Sequence, residues 1–422
     1  MKDLKYIVTA LVLMMVAVSS TQAELRTDGY VQGLFGGQLE KDNPTLSDQS
    51  VSETRLQVRM ASYADQGEFF SRVDFLYDGL KYPQEQYDWE IREAYLKFRL
   101  GSKLDFKVGR QVLTWGTGDL IFINDVFAKD YRSFFLGRDD QYLKAPQNAV
   151  RMEYYNSLGS FSFVFTPSFE PNRLPTGEKL SYYSPMTGTI VGVETDPMFY
   201  FEPTVPEKTF HNAEFATRFQ RRVGMYALAF YFYKGFYKNP VGMDANTMMP
   251  IFPRLELYGA SIRGAKFGGI VWLEAGYYNS KDDKDNDNPY IPNSSMSAML
   301  GFERQIATNL TANLQWQVTK LQDYDIFESQ QIPGSHYQDE IKHLVTSRWT
   351  KMLKDETVML SGFIFYSPSD EDMYLRFSAE YKYSDEITLT FGGNVFDGTY
   401  ANTDFGQSAL NDNLYTKMTY NF

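Results

Sequence analysis

The 422-residue chain has no Cys and three His, carries 41 Lys+Arg against 53 Asp+Glu for a net charge of -12, and is 16% aromatic, with 33 Phe and 31 Tyr. The missing thiols exclude disulfide scaffolds, cysteine-ligated zinc and thiol chemistry, and the acidic balance argues against a nucleic-acid partner, which needs a clustered basic excess. So much Phe and Tyr also excludes an intrinsically disordered chain.

Lys2 and Lys5, an apolar stretch from Ile7 to Val18 and the small residues Thr21 and Ala23 predict a secretory signal peptide over 1–23, cut after Ala23. The remainder, 24–422, is then exported. No later apolar run approaches the roughly 20 residues of a spanning helix. The mean hydropathy of -0.39 still permits a transmembrane β-barrel, because such strands alternate lipid-facing and lumen-facing residues and average out as polar.

Period-two alternation predicts strands in the first half at 26–39, 52–65, 67–79, 88–101, 103–114, 147–157, 159–167, 211–222 and 224–237. Apolar faces turned to lipid place the opposite charges in the lumen, since a Lys or Arg on the lipid side costs roughly 2 to 4 kcal/mol at the bilayer midplane. This assigns Arg55, Arg59, Arg72, Asp74, Glu93, Lys97, Arg99, Arg151, Glu153, Glu214 and Arg218 to the channel lining. Arg110 breaks the pattern by sharing parity with Leu104, Phe106 and Val108, so a bulge at Gly109 is expected to re-aim it inward. Phe230, Tyr231, Phe232 and Tyr233 are expected in an aromatic girdle.

Two connections exceed simple hairpins. The first, 115–146, either folds back into the barrel mouth and narrows it or packs over the rim. The second, 168–210, holds Pro171, Pro175, Pro185, Pro197, Pro203 and Pro206, which exclude regular strand through it and predict an irregular outer cap. The acidic run Asp282 to Asp287 lacks an ordered ligand loop and reads as solvated.

The second half continues with strands at 253–265, 267–280, 293–306, 308–321, 338–353, 356–368, 370–384, 386–397 and 412–422. Arg376 and Glu380 join the predicted lining. In the last strand Leu414, Met418, Tyr420 and Phe422 share a face with Thr416. A terminal Phe with Tyr and Met at alternate positions before it resembles the signal of bacterial outer-membrane barrels that their assembly machinery reads. Met418, Tyr420 and Phe422 are the expected assembly signal.

The elements sum to an all-β, antiparallel up-and-down barrel of 18 strands in the outer membrane of a Gram-negative cell, surrounded by its lipids. Short turns such as Gly101-Ser102 and Ser384-Asp385 alternate with long loops, and an even strand number puts both termini on the periplasmic side. Closure is required because an open sheet edge has no hydrogen-bond partners in lipid.

Arg92-Glu93-Ala94-Tyr95-Leu96, followed by Gly109-Arg110-Gln111, Trp115-Gly116 and Asn124-Asp125-Val126, resembles the N-terminal part of a porin-like outer-membrane family of unknown function. The resemblance covers about residues 29–160. Members often stand beside RND-type exporters and LolA-like periplasmic lipid carriers, so it implies such a carrier or exporter as partner and a lipid or hydrophobic compound among the cargoes. More distantly, the strand count and basic lumen are similar to the alginate-export and carboxylate-selective porins.

The function expected is a channel passing small anionic or amphipathic solutes through an arginine-lined lumen. A wall of Arg with interspersed carboxylates sets up a transverse field and hands an anion from one guanidinium to the next. The alternative is a barrel sealed by its loops, acting in lipid export with periplasmic partners or as a surface-binding scaffold. An enzyme is not expected: His211, His336 and His343 have no Ser or Asp two positions away on their strand face, and no cofactor or metal motif appears.

Overall fold

In the computed structural model residues 24–64, 67–193, 202–283, 285, 287–331 and 335–422 are described. The predicted signal peptide over 1–23 lies outside the described residues. Strands β1 (Leu25–Gln38), β2 (Val51–Ala64), β3 (Gly67–Asp78), β4 (Tyr87–Leu100), β5 (Leu104–Val112), β6 (Pro146–Asn156) and β7 (Gly159–Thr166) are followed by β8 (Glu214–Val223), β9 (Tyr226–Phe236), β10 (Arg254–Lys266) and β11 (Gly269–Ser280). The wall continues through β12 (Ser295–Ala307), β13 (Leu310–Leu321), β14 (Ile341–Leu353), β15 (Val358–Ser367), β16 (Asp372–Lys382), β17 (Ile387–Gly398) and β18 (Asn413–Asn421).

Each strand pairs antiparallel with its chain neighbours, and β1 pairs with β18 from Tyr30–Asn421 to Gln38–Asn413. That pairing closes an 18-stranded barrel, as the alternation predicts. No helix among the described residues is long and apolar enough to cross a membrane.

The outer face carries Phe35, Phe75, Phe163, Phe230, Leu273, Leu314, Trp316, Trp349 and Phe391, each 40–57% exposed. An apolar band of this extent belongs against lipid. The girdle expectation holds for Phe230 only in part of its group: Tyr231 and Tyr233 are buried, 7% and 2% exposed, on the inner side. They turn inward because successive strand residues point to opposite faces, and a chain segment inside the barrel covers them.

The bulge also falls elsewhere than expected. The β3–β4 register slips where Arg72 faces Glu93 but Val73 faces Ile91, so Arg92 and Glu93 both turn inward. β4 and β5 pair only from Ala94–Arg110 toward their short turn. In the opening beyond, Arg110 Nε donates to the Ile91 carbonyl (2.7 Å) and Glu93 Oε1 accepts from the Val112 N–H (3.3 Å). Gly109 keeps a regular register but at φ +131°, where a Cβ would lie 2.3 Å from the Ala94 carbonyl oxygen. A glycine is required there by the close approach of β4.

The proline-bearing connection lies over the outer end of β1 to β4. Arg173 Nη2 pairs with Glu90 (2.5 Å), and Lys179 Nζ reaches Asp78 (2.6 Å) and Glu53 (2.9 Å). Among the described residues the connection pairs Tyr182–Ser184 with Thr189–Val191 on either side of Pro185, contrary to the expectation that the prolines exclude regular strand here.

Candidate functional site

Val112 and Pro146 are cross-strand partners, so residues 113–145 join two adjacent strands that a short turn could join. Instead the segment enters the lumen and crosses it. Its sequence explains why: apolar residues seek the inner wall, and polar ones meet the strand side chains beside them.

Trp115 packs edge-on to Phe127 (5.1 Å between ring centroids) in a buried cluster with Ala216, Tyr231, Leu255 and Leu257. Glu274 on β11, 0% exposed, then ties two turns of the segment together. One carboxylate oxygen accepts from the Thr117 N–H (2.5 Å) and hydroxyl (2.7 Å), the other from the Asn124 N–H (2.8 Å) and Nδ2 (3.0 Å). Ile121 and Ile123 pack on Trp272 and Met299, and Asp119 takes a bond from Asn313 Nδ2 (2.7 Å) and pairs with Arg348 Nε (2.9 Å).

Farther on, Asp130 Oδ1 caps a short helix, α1 (Tyr131–Phe135), by accepting from the Ser133 N–H (2.9 Å). Phe134 and Phe135 stack edge-on against Tyr374, with ring centroids 5.8 and 5.4 Å apart, on the far wall. Arg138 makes a forked pair with Glu53 (2.9 and 2.5 Å), and Asp139 pairs with Lys417. Burial alone would push the Asp139 carboxyl up; the Lys417 ammonium holds it below the usual range.

The segment ends on Tyr142. Its hydroxyl donates to Asp74 (2.6 Å) and accepts from Gln57 Nε2 (3.0 Å), while the Arg55 and Arg92 guanidinium carbons lie 4.3 and 4.6 Å from the ring centroid. Burial, with Asp74 alongside, pushes the Tyr142 phenol up to about 12. Residues 113–145 therefore touch β1 to β4, β6, β8 to β18 and the base of the outer cap. Of the two placements open from the sequence, the lumen is the one adopted.

The predicted lining separates into classes. Arg55 is buried on Asp74 (2.6 Å), Arg72 pairs with Glu93 (2.6 Å), Arg151 with Glu153 (2.5 Å) and Arg99 with Asp105 (2.6 Å). Arg59 pairs with Asp28, and Lys97 stands 3.8 Å from Glu68. Arg376 reaches Asp140 (3.2 Å) and the Arg138 carbonyl (3.0 Å). Two carboxylates do not orient their expected arginines: Glu214 is buried on Lys238 (2.8 Å) and Tyr233, away from Arg218, and Glu380 borders a recess with Ser361 and Ser378.

The space left beside the segment is a recess of about 540 Å³ bordered by Thr114 to Leu120, Asp125, Asp140, Lys144, Arg218, Arg263 and Arg348. Its carboxylates are committed: Asp119 to Arg348, Asp125 to Lys129 (3.0 Å) and Asp140 to Arg376. Arg218, Arg263 and Lys144 have no carboxylate within 4.0 Å among the described residues. Arg218 lies over Trp115 and Arg263 over Trp272, 5.3 and 5.5 Å from the ring centroids.

Arg92, Lys144, Arg263 and Arg348 were missed by the sequence reading. A bulge hides Arg92. The inner face of β10 is apolar at Leu255 and Leu257, so parity alone assigns Arg263 to neither side.

No protein-family model and no curated protein matches the chain. Among solved structures it is similar to OccAB3 of Acinetobacter baumannii, with TM-score 0.54 and 9% identity over 94% of this chain and 99% of that one. It is similar also to two Pseudomonas aeruginosa structures. OccK11 (OpdR) has TM-score 0.53 at 8% identity, covering 94% of this chain and 96% of that one, and OccK5 (OpdH) has 0.53 at 7%, covering 94% and 98%. At such identities the likeness carries the fold alone, a closed antiparallel β-barrel.

Proposed function

We propose that this barrel is an outer-membrane channel for small anionic solutes, which pass the constriction made by residues 113–145 along Arg218, Arg263 and Lys144. One observation carries the reading: in a recess whose carboxylates are all committed, these three cations are not. An anion gains from an unpaired guanidinium in a confined, low-dielectric passage, whereas a neutralised pair offers it little.

The test is the reversal potential of the refolded protein in a planar bilayer under a salt gradient. The wild type is expected to prefer anions, less so as salt screens the wall. R218Q and R263Q should each lower the preference by about 1 kcal/mol, or about fivefold, on the scale of one wall charge. Selectivity unchanged in the double variant overturns the reading. Absence of conductance from folded protein favours the sealed alternative, a barrel that works with a periplasmic lipid carrier or exporter.

A further inference from the structure

The outer wall near the short turns carries a second basic feature, pointed at lipid rather than lumen. β10 ends at Lys266, which pairs with Gly269 of β11. Gly269 abuts Arg304 of β12, since a Cβ on it would lie 2.8 Å from the Arg304 Cβ and 2.3 Å from the Glu303 carbonyl oxygen. The three residues form one row. They face outward because Ile270, Trp272 and Glu274, the alternate positions of β11, pack on the inserted segment.

The row therefore reads base, glycine, base, with the two bases two strand spacings apart, roughly 10 Å. Lys266 and Arg304 are exposed and have no carboxylate within 4.0 Å among the described residues. Gly269 carries no side chain between them, and the Phe302 ring lies over it, its Cε2 2.8 Å from where a Cβ would stand. Directly above, the same face is apolar: Val271 pairs with Phe302, and Leu273 with Leu300, the last two 48% and 50% exposed.

The adjoining turn adds a second observation. Phe267 is 75% exposed at φ +55°, followed by Gly268 at φ +72°. A bulky residue in the left-handed region is strained, and nothing within the barrel compensates, because the ring packs against no core. The Lys266 ammonium lies 5.5 Å from its centroid. An aromatic held out in this way suits the lipid interface.

We propose that Lys266 and Arg304 form a binding site for an anionic phospholipid of the periplasmic leaflet. The phosphate lies between the two cations, beside the Phe302 ring that covers Gly269, and an acyl chain runs up over Phe302 and Leu300. Charge complementarity selects an anion, and the unbroken continuation into the lipid-facing wall selects a lipid over an acidic protein, which would first have to displace the bilayer. Both side chains are long enough to bring their charge to the headgroup plane.

The experiment is native mass spectrometry of the intact barrel exposed to equimolar phosphatidylglycerol and phosphatidylcholine of matched chains. The wild type should retain phosphatidylglycerol preferentially. Each of Lys266→Gln and Arg304→Gln should lower the ratio about fivefold, the effect of one surface base on an anionic lipid, while Lys103→Gln in another short turn leaves it unchanged. Phe267→Gly removes the backbone strain, so it should fold at least as well yet hold the lipid less.

A ratio in the double variant equal to that of the wild type overturns the proposal. So does displacement of the lipid by glycerol 3-phosphate at the same concentration, which would mean that only a phosphate is read. Neither result depends on whether the lumen conducts.

Discussion

Glu274 shows how one side chain fixes the site. It accepts four hydrogen bonds from Thr117 and Asn124 while fully buried, so its loss strands several donors in a dry setting. Glu274→Ala is expected to cost the inserted segment roughly 2 to 5 kcal/mol. Glu274→Gln should be nearly as harmful, because an amide NH2 would face donors. The wall pairing is untouched, so trypsin should now cut at Arg132 or Arg138 while the barrel core stays resistant; resistance equal to the wild type would refute this anchoring role. Arg55 makes the converse case. Buried between Asp74 and the Tyr142 ring, it belongs to the packing of the segment, and Arg55→Gln is expected to destabilise by about 3 kcal/mol while leaving ion selectivity as it was. Parity in the sequence brought Arg55 and Arg218 to the same side of the wall. It could not tell the neutralised one from the free one, since that depends on Asp74 and Tyr142, the latter 68 residues away from Asp74 in the chain.

At the scale of the element, the strands were legible and the inserted segment was not. Every predicted strand has its counterpart within three residues of the expected ends, because lipid on one side and water on the other impose period two without help from distant contacts. Residues 113–145 lie under no such rule: Ile121, Ile123, Phe134 and Phe135 suit a rim as well as an inner wall, and only Trp272, Met299 and Tyr374 decide between them. Since Val112 faces Pro146 in the β5–β6 ladder, replacing 115–143 by a short turn should leave the barrel able to fold and raise its single-channel conductance several-fold. An unchanged conductance would mean that the narrowest point lies elsewhere. The same segment should respond to acid. The Lys417 ammonium holds the buried Asp139 carboxyl below the range of a free carboxylate, which lies at about 4, so their pair contributes fully above about pH 4 and is lost as pH falls through the depressed folded value. Channel noise is expected to rise only in that acidic window, and Asp139→Asn should produce it at neutral pH.

For the whole molecule the decisive contact is the seam between first and last strands. The Gly29 and Phe422 backbones exchange two hydrogen bonds of 3.0 Å, beyond the Tyr30–Asn421 pair that ends the regular ladder. Met418, Tyr420 and Phe422 all point outward, 51%, 47% and 54% exposed, so they support little of the interior. Two roles for Phe422 then predict different results. If its ring serves only to pack against lipid, Phe422→Ala should weaken the barrel slightly and equally in the cell and in refolding from urea. If the terminal strand is the feature that the assembly machinery reads before closure, the same change should leave refolding into detergent nearly intact, within about 1 kcal/mol for a half-exposed side chain, yet sharply lower the folded fraction recovered from outer membranes. Comparing the two yields on one variant separates a stability effect from a recognition effect. The outward placement of all three side chains, none spent on the core, favours recognition: an unpaired β18 would present them together on one face while its backbone still seeks a partner.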